Sequence, residues 1–457
     1  MDNLDDCNNL DDCNNIVVNT LISFQNYFFL FSPPFKYQGM KQHLYGIDFG
    51  TTNSALAIYD EETGEITNTI IIPSLIYFYQ HAAEGFVVGE AAISAYLADN
   101  MKGRFIKSVK QVLSRSSFTE TRIGNKRYNA SDLVAIILKE LKTRADQLTG
   151  QDCRKAVIGR PVFFDDDDVQ KDKLAQTRLH KAAMLAGFTE VRYQFEPIGA
   201  AFAYEKGLIK KENVLVADLG GGTTDFTYLV LDPAKVGTKD RKDDIIANGG
   251  IYIGGDSFDS AFMWEKGTPH FGKDTKYEAT PGKILTVPVS LFANICSWEQ
   301  MNFFNGLRIK KDIEDYYYFS GNNKKFKNLI TLIDNNLGYS VFQSIEQTKI
   351  TLTDEAEATF SYHHMEIEIE EKISLFDYEK IIAKDIKRIA NYLDEFLEKN
   401  KIEALDIDSL FLTGGTSMVG SIQYLFKAKF PHVKLNSGDN FKSVAKGLAY
   451  SGYLFED

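Results

Sequence analysis

The chain has 457 residues, 44% of them hydrophobic, enough to bury a large core and to form more than one domain or lobe. A net charge of −12 and the absence of any long lysine/arginine block argue against nucleic acid and anionic membrane as partners. Cys7, Cys13, Cys153 and Cys296 lack metal-ligand spacing and are too few for a disulfide scaffold, which fits a reducing cytoplasm.

The segment 1–39 is unlike the rest. Leu4-Asp5-Asp6-Cys7-Asn8-Asn9 repeats at once as Leu10-Asp11-Asp12-Cys13-Asn14-Asn15. The apolar stretch from Ile16 to Phe35 is broken by Asn19, Gln25, Asn26, Pro33 and Pro34, and it follows acidic rather than basic residues. Neither a secretory signal nor a membrane span is expected, and residues 1–39 read as disordered or as a non-native extension ahead of Met40.

The first strong element is Tyr45-Gly46-Ile47-Asp48-Phe49-Gly50-Thr51-Thr52-Asn53, followed by Ala55 to Tyr59: strand, tight turn, strand. Asn129 to Leu148 carries Leu133, Ile136, Ile137, Leu141 and Leu148 at helical spacing and predicts an amphipathic helix. Lys155 to Pro161 reads as a strand. The acidic run Asp165 to Asp168 caps the helix that follows, through Met184 to about Gly187, more readily than it binds metal. Glu190 to Gln194 reads as a short strand. It leads into Phe195-Glu196-Pro197-Ile198-Gly199-Ala200-Ala201, where proline in the first turn and small residues after it start a helix that other backbone can approach closely.

Val214 to Asp225 then repeats the opening pattern, with Asp218-Leu219-Gly220-Gly221-Gly222-Thr223-Thr224-Asp225 as its turn and Phe226 to Val230 as its second strand. Either turn alone would be an ordinary hairpin. Two copies, each with an aspartate ahead of glycine and threonine, imply an internal repeat that holds an anion through converging N–H and hydroxyl donors. An aspartate cannot ligate phosphate itself, so each needs a cation or water between. The pair points to a nucleotide with its metal.

Residues 262–344 read as a peripheral subdomain rich in aromatics, Lys and Asn. Glu346 to Leu352 predicts a helix, and Thr359 to Glu370 a strand in which His363 and His364 point to opposite faces, so one metal cannot readily take both. Leu375 to Asn400 predicts a long helix buried through Ile382, Ile386, Ile389, Leu393 and Phe396. Leu410 to Thr416 is a strand running into a glycine turn that opens a helix from Ser417. Phe441 to Tyr453 predicts a closing helix.

The segments Asp48 to Thr52, Phe195 to Ala201, Asp218 to Asp225, Gly254-Gly255-Asp256-Ser257-Phe258-Asp259 and Thr413-Gly414-Gly415-Thr416, in this order, resemble the nucleotide-binding domain of Hsp70-type chaperones. That domain belongs to the actin, sugar-kinase and Hsp70 superfamily. The resemblance runs from about Tyr45 to Phe455. It implies an α/β fold of two actin-like (ribonuclease H-like) lobes with a nucleotide cleft between them: lobe I over 40–210, completed by 436–457, and lobe II over 211–435. The sequence stops at Glu456-Asp457, where an Hsp70 would continue, so it looks like the short YegD-like branch lacking the peptide-binding domain.

The resemblance also implies ATPase chemistry, with ATP/ADP and Mg²⁺ as ligands and room for K⁺. Asp48 and Asp218 would hold Mg²⁺ through its waters, and Glu196 would orient the attacking water. Lys110 would contact phosphate, with Lys107 as its rival. Gly50, Thr51, Thr52, Gly220, Gly221, Gly222 and Thr223 would cradle phosphates. Asn53 stands where a tyrosine often meets a monovalent ion, and Asp225 would support such an ion or the turn. Gly254 and Gly255 would close over the nucleotide. Glu346, Lys349 and Thr353 would face ribose and base, with Gly414, Gly415 and Thr416 beneath the adenosine. Ile350 and Met418 replace two arginines usual in the family, and Ser257 an acid, so weaker base contacts are expected. The implied function is a cytoplasmic, monomeric, nucleotide-driven switch read by a protein partner or client. The alternatives are an actin-like filament former, a small-molecule kinase, or a nucleotide-dependent scaffold with little hydrolysis.

Overall fold

The computed structural model describes residues 43–455 apart from 82–84, 100–101, 166–167, 239, 298–303, 305 and 437–441. The tail read as disordered, Asp166 and Asp167 of the acidic run, and Phe441 therefore lie outside the described residues.

Two five-stranded sheets share one topology. In the first, β1 (His43–Asp48), β2 (Asn53–Asp60) and β3 (Glu65–Pro73) form an antiparallel meander, and β4 (Lys155–Arg160) and β5 (Glu190–Phe195) extend it in parallel, giving the order β5-β4-β1-β2-β3. The second repeats this with β6 (Glu212–Leu219), β7 (Thr224–Leu231), β8 (Ile245–Ile251), β9 (Ser409–Thr413) and β10 (Lys434–Asn436), in the order β8-β7-β6-β9-β10. Register makes the repeat local as well as global: Asp48 pairs with Ala55 at the end of β1, and Asp218 pairs with Asp225 one residue before the end of β6. These are the two lobes of an α/β fold. The centres of β1 and β6 are buried apolar runs, as strands covered on both faces must be.

Helix α1 (Ala130–Thr149) is entered through a capping box between Asn129 and Asp132 and left through Gly150 in the left-handed conformation. Its inward face is as the spacing predicts, except that Leu148 is solvent-exposed in the last turn. Asp168 accepts from the backbone N–H groups of Gln170 and Lys171, so it caps α2 (Val169–Leu185). Helix α3 (Glu196–Glu205) has Pro197 in its first turn. At its other end, Glu205 receives the fully buried guanidinium of Arg241 at 2.5 and 2.9 Å, and Arg241 also bonds Asp244. Removing the guanidinium would leave Glu205 a buried carboxylate with no cation beside it, so this cluster ties the connecting helix to the second lobe.

In the second half, α4 (Gly255–Phe262) continues into a π turn, Met263–Gly267, whose freed Trp264 carbonyl accepts from Thr268 Oγ1 and from the Lys273 ammonium. The aromatic residues of the 262–344 region, among them Phe271, Phe292, Phe304 and Phe326, join the same core as Leu215, Phe226 and Phe396 of the second sheet. Helix α5 (Gly338–Asp354) begins well before the Glu346 expected from spacing. The single strand expected over Thr359 to Glu370 is instead a hairpin, Glu357–His364 with Ile367–Ser374, reversed at Met365 with φ 54°. Helix α6 (Leu375–Lys399) matches its predicted bounds within one residue. The helix expected from Ser417 is replaced by a 3₁₀ turn, Gly415–Met418, with α7 (Gly420–Lys429) starting only after extended Val419.

Helix α8 (Ser443–Tyr450) lies on the first sheet and against α3. A β-carbon on Gly46 would overlap the backbone of Ala445 and Ala449, and one on Gly447 the backbone of Gly199, so both glycines serve close approach. The lobes also meet through aromatic rings: Phe105 stands 4.4 Å from Tyr339 of α5, and Tyr96 donates its hydroxyl to the Asn336 carbonyl at 2.7 Å. No described helix is long and apolar enough to cross a membrane.

Candidate functional site

A cleft of about 1230 Å³ runs between the two hairpin turns. Asp48, Gly50, Thr51, Thr52 and Asn53 line it from the first lobe, with Lys107, Lys110 and Glu196. Asp218, Gly220, Gly221, Gly222, Thr223, Gly255, Glu346, Lys349, Thr353, Gly414, Gly415 and Thr416 line it from the second. Two residues singled out from sequence, Gly254 and Ser257, do not line it. A β-carbon on Gly254 would lie 2.5 Å from the carbonyl oxygens of Gly220 and Gly221, so it positions the turn without facing the cleft.

Local geometry explains why these residue types are needed. A β-carbon on Gly221 would overlap Thr52 Oγ1, so the two turns approach as closely as they do only with glycine there. Thr52 Oγ1 is itself buried without a hydrogen-bond partner, an orphan donor aimed between the turns. Thr416 Oγ1 donates to the Gly220 carbonyl at 2.8 Å, and Thr223 Oγ1 to Asp225 at 2.8 Å. Thr413, set opposite Asp218 by the parallel β6–β9 register, donates its hydroxyl to Asp218 Oδ1 at 2.8 Å and orients that carboxylate.

At the centre, Lys110 Nζ donates to Glu196 Oε1 at 2.9 Å. Asp48 lies near both and near Asp218, so three carboxylates face one ammonium. Burial, then Glu196 and Asp218 as like charges, push the Asp48 carboxyl up to about 7 against the opposite pull of Lys110. Burial likewise raises Glu196, although Lys110 pulls it down. Burial would lower the Lys110 ammonium, but Glu196 and Asp48 outweigh it and hold it raised, hence charged. Such an excess of buried negative charge calls for a divalent cation. Among the described residues no group of three or more His, Cys, Asp or Glu side chains could hold a metal ion directly.

The other end of the cleft is built differently. Lys349 is tied to Asp259 of α4 at 2.7 Å, and Thr353 Oγ1 bonds back to the Lys349 carbonyl. Ile350 and Met418 are about half exposed and line the cleft with apolar surface.

The structure separates the two lysines left as rivals by the sequence. Ser108 adopts φ 59°, reversing the chain between them; Lys110 reaches Glu196, whereas Lys107 reaches Asp256 of α4 at 3.0 Å. Sequence reasoning missed the roles of Asp256, Asp259 and Thr413. All three stood inside segments quoted from the sequence, Asp256 and Asp259 in Gly254 to Asp259 and Thr413 directly before the glycine turn, without a role of their own.

The Hsp70 protein family model matches residues 44–281 and 314–456. The chain is 27% identical over 428 residues to the chaperone protein DnaK of Thermosipho melanesiensis, covering 90% of this chain and 59% of that protein. It is 25% identical over 418 residues to the chaperone protein DnaK of Mycoplasma mobile, covering 90% and 58%. Identity rises to 33% over 231 residues with DnaK of Thermosipho africanus, across 49% of this chain and 35% of that protein. The chain thus spans a little over half the length of the curated relatives it matches most fully.

Proposed function

The chain belongs to the Hsp70 family, and from that premise we propose that it binds ATP with Mg²⁺ in this cleft and hydrolyses it to ADP and phosphate, the lobes moving with the state of the nucleotide. One observation carries the reading: Asp48, Glu196, Asp218 and Lys110 converge between two glycine-threonine turns from opposite lobes. Backbone N–H groups of Gly50 to Thr52 and Gly221 to Thr223, with the unpaired Thr52 hydroxyl, are suited to the phosphate oxygens, while the Gly220 N–H closes its own turn on the Thr223 carbonyl. Mg²⁺ held by Asp48 and Asp218 through water would neutralise charge on the transferring group.

Phosphoryl transfer to water depends on positioning and charge compensation more than on covalent help. Glu196 accepts a hydrogen bond from the attacking water and takes up its proton as the new P–O bond forms and the bond to ADP breaks. Burial raises the basicity of its carboxylate, while Lys110 acts in the opposite direction. The moving lobes would present a changed surface to a protein partner or client, which makes this a conformational switch rather than a metabolic enzyme.

Calorimetric titration of the full chain with ATP, with and without Mg²⁺, tests the reading alongside phosphate release. Binding that tightens with Mg²⁺ and is followed by steady release of phosphate supports it. Tight binding with no release would leave a nucleotide-dependent scaffold, and no binding would end the proposal.

A further inference from the structure

Lys107 and Asp256 come from opposite lobes and meet over the phosphate turn of the second. Lys107 Nζ donates to Asp256 Oδ1 at 3.0 Å, with the lysine side chain 15% and the aspartate 36% exposed. Asp256 is not a loose surface acid. Its N–H donates to the Gly221 carbonyl at 2.7 Å, Gly255 N–H donates to the Gly220 carbonyl at 3.1 Å, and both carboxylate oxygens stand 3.5 Å from where a Gly221 β-carbon would be. The start of α4 and the phosphate turn are therefore one rigid piece, and the ammonium of Lys107 is held beside it. On the other side, Ser108 in the left-handed region is uncommon for a residue with a β-carbon and marks a constrained reversal. That reversal sends Lys107 and Lys110, three residues apart, to opposite walls of the same cleft.

Both partners line the cleft with Gly221 and Thr52. A polyphosphate entering the cradle brings several negative charges next to the Lys107–Asp256 pair. A lysine ammonium is a mobile point charge on a flexible stem and can exchange one anionic partner for another without moving its backbone. Asp256, by contrast, would then face phosphate as a like charge.

We propose that Lys107 is a second phosphate-binding lysine for which Asp256 and the polyphosphate compete, its ammonium passing from the carboxylate to the polyphosphate as nucleotide binds. The proposal rests on the reading of the cleft as a nucleotide site and goes beyond it: the ion pair between the lobes is exchanged for one that runs through the ligand, which couples occupancy to the contact between lobes.

The competition gives the two partners opposite signs, which a merely structural ion pair would not. Equilibrium titrations with MgATP, MgADP and adenosine would be run on the full chain and on Lys107→Gln and Asp256→Asn. Lys107→Gln should weaken MgATP binding about tenfold, as expected for loss of one charge-assisted contact, and Asp256→Asn should tighten it by about threefold or more. Adenosine affinity should be the same in all three proteins, which also certifies that the variants are folded. If both substitutions weaken MgATP binding, or neither changes it, the proposal is overturned and the pair only joins the lobes. Failure of the unaltered protein to bind MgATP would instead remove the nucleotide reading itself, and would be seen before any variant is compared.

Discussion

The two ends of the cleft are made of different material. At one end, glycine-threonine turns, three carboxylates and two lysines present charge and backbone donors to a polyanion. At the other, Ile350 and Met418 offer apolar surface, and the nearby cation, Lys349, is engaged with Asp259. Affinity and chemistry should therefore reside in the phosphates, with the base held by contact area alone. An apolar wall gains from excluding water but discriminates poorly between flat rings of similar size.

The largest effect should come from the charged end. Lys110→Met removes the ammonium beside Glu196 and leaves the carboxylates facing each other. Hydrolysis should fall by roughly 10²–10³-fold, the usual scale for losing one positioned charge. Phosphate release under saturating MgATP measures it, and a loss below about tenfold would place Lys110 outside the chemistry.

The next concerns what the same charge does to stability. Asp48 binds its proton more tightly in the folded protein, with its carboxyl at about 7, than in the unfolded chain. The contribution is present below the ordinary carboxylate range and is lost as pH rises through about 7, and the raised Glu196 adds in the same direction. Ligand-free protein should therefore lose about 1–2 kcal/mol between pH 5.5 and 8 from these groups. Asp48→Asn should flatten that slope while weakening the effect of Mg²⁺ on ATP binding. Chemical denaturation at the two pH values tests this, and an unchanged slope in the variant would show that Asp48 is not the group responsible.

The smallest effect belongs to the apolar end. ATP and GTP should bind within about threefold of each other, since Ile350 and Met418 offer apolar surface and Lys349 is engaged with Asp259. A preference of a hundredfold for either would mean that backbone or side-chain groups recognise the base after all, and the contrast between the two ends would collapse.

This division also governs what could be read from the sequence. The two glycine-threonine turns were legible because local chemistry announces them: glycines that permit close approach, threonine hydroxyls, and an aspartate at or next to the end of each buried strand. Glu196 was legible through the proline and small residues that follow it. Pairing across the cleft was not, because Lys107 and Asp256 are 149 residues apart, and Lys349 and Asp259 are 90 apart. Nothing in the local pattern around either lysine specifies its partner. Helix starts governed by tertiary packing were missed in the same way: α5 begins early where Tyr339 and Val341 are buried in the core, and α7 late because Gly414 takes a positive φ of 78°. The 262–344 region resisted reading because its aromatics pack into the second lobe from short helices and a π turn, which share no single period.

Single-turnover hydrolysis of MgATP by the full chain, beside Glu196→Gln and Asp218→Asn, tests the account most directly. It predicts that the unaltered protein converts bound ATP to ADP, that Glu196→Gln retains the nucleotide but slows conversion by about 10²–10³-fold, and that Asp218→Asn loses conversion together with its Mg²⁺ dependence. Conversion at an unchanged rate in both variants would contradict it, since the carboxylates gathered between the two turns would then not be where the chemistry occurs.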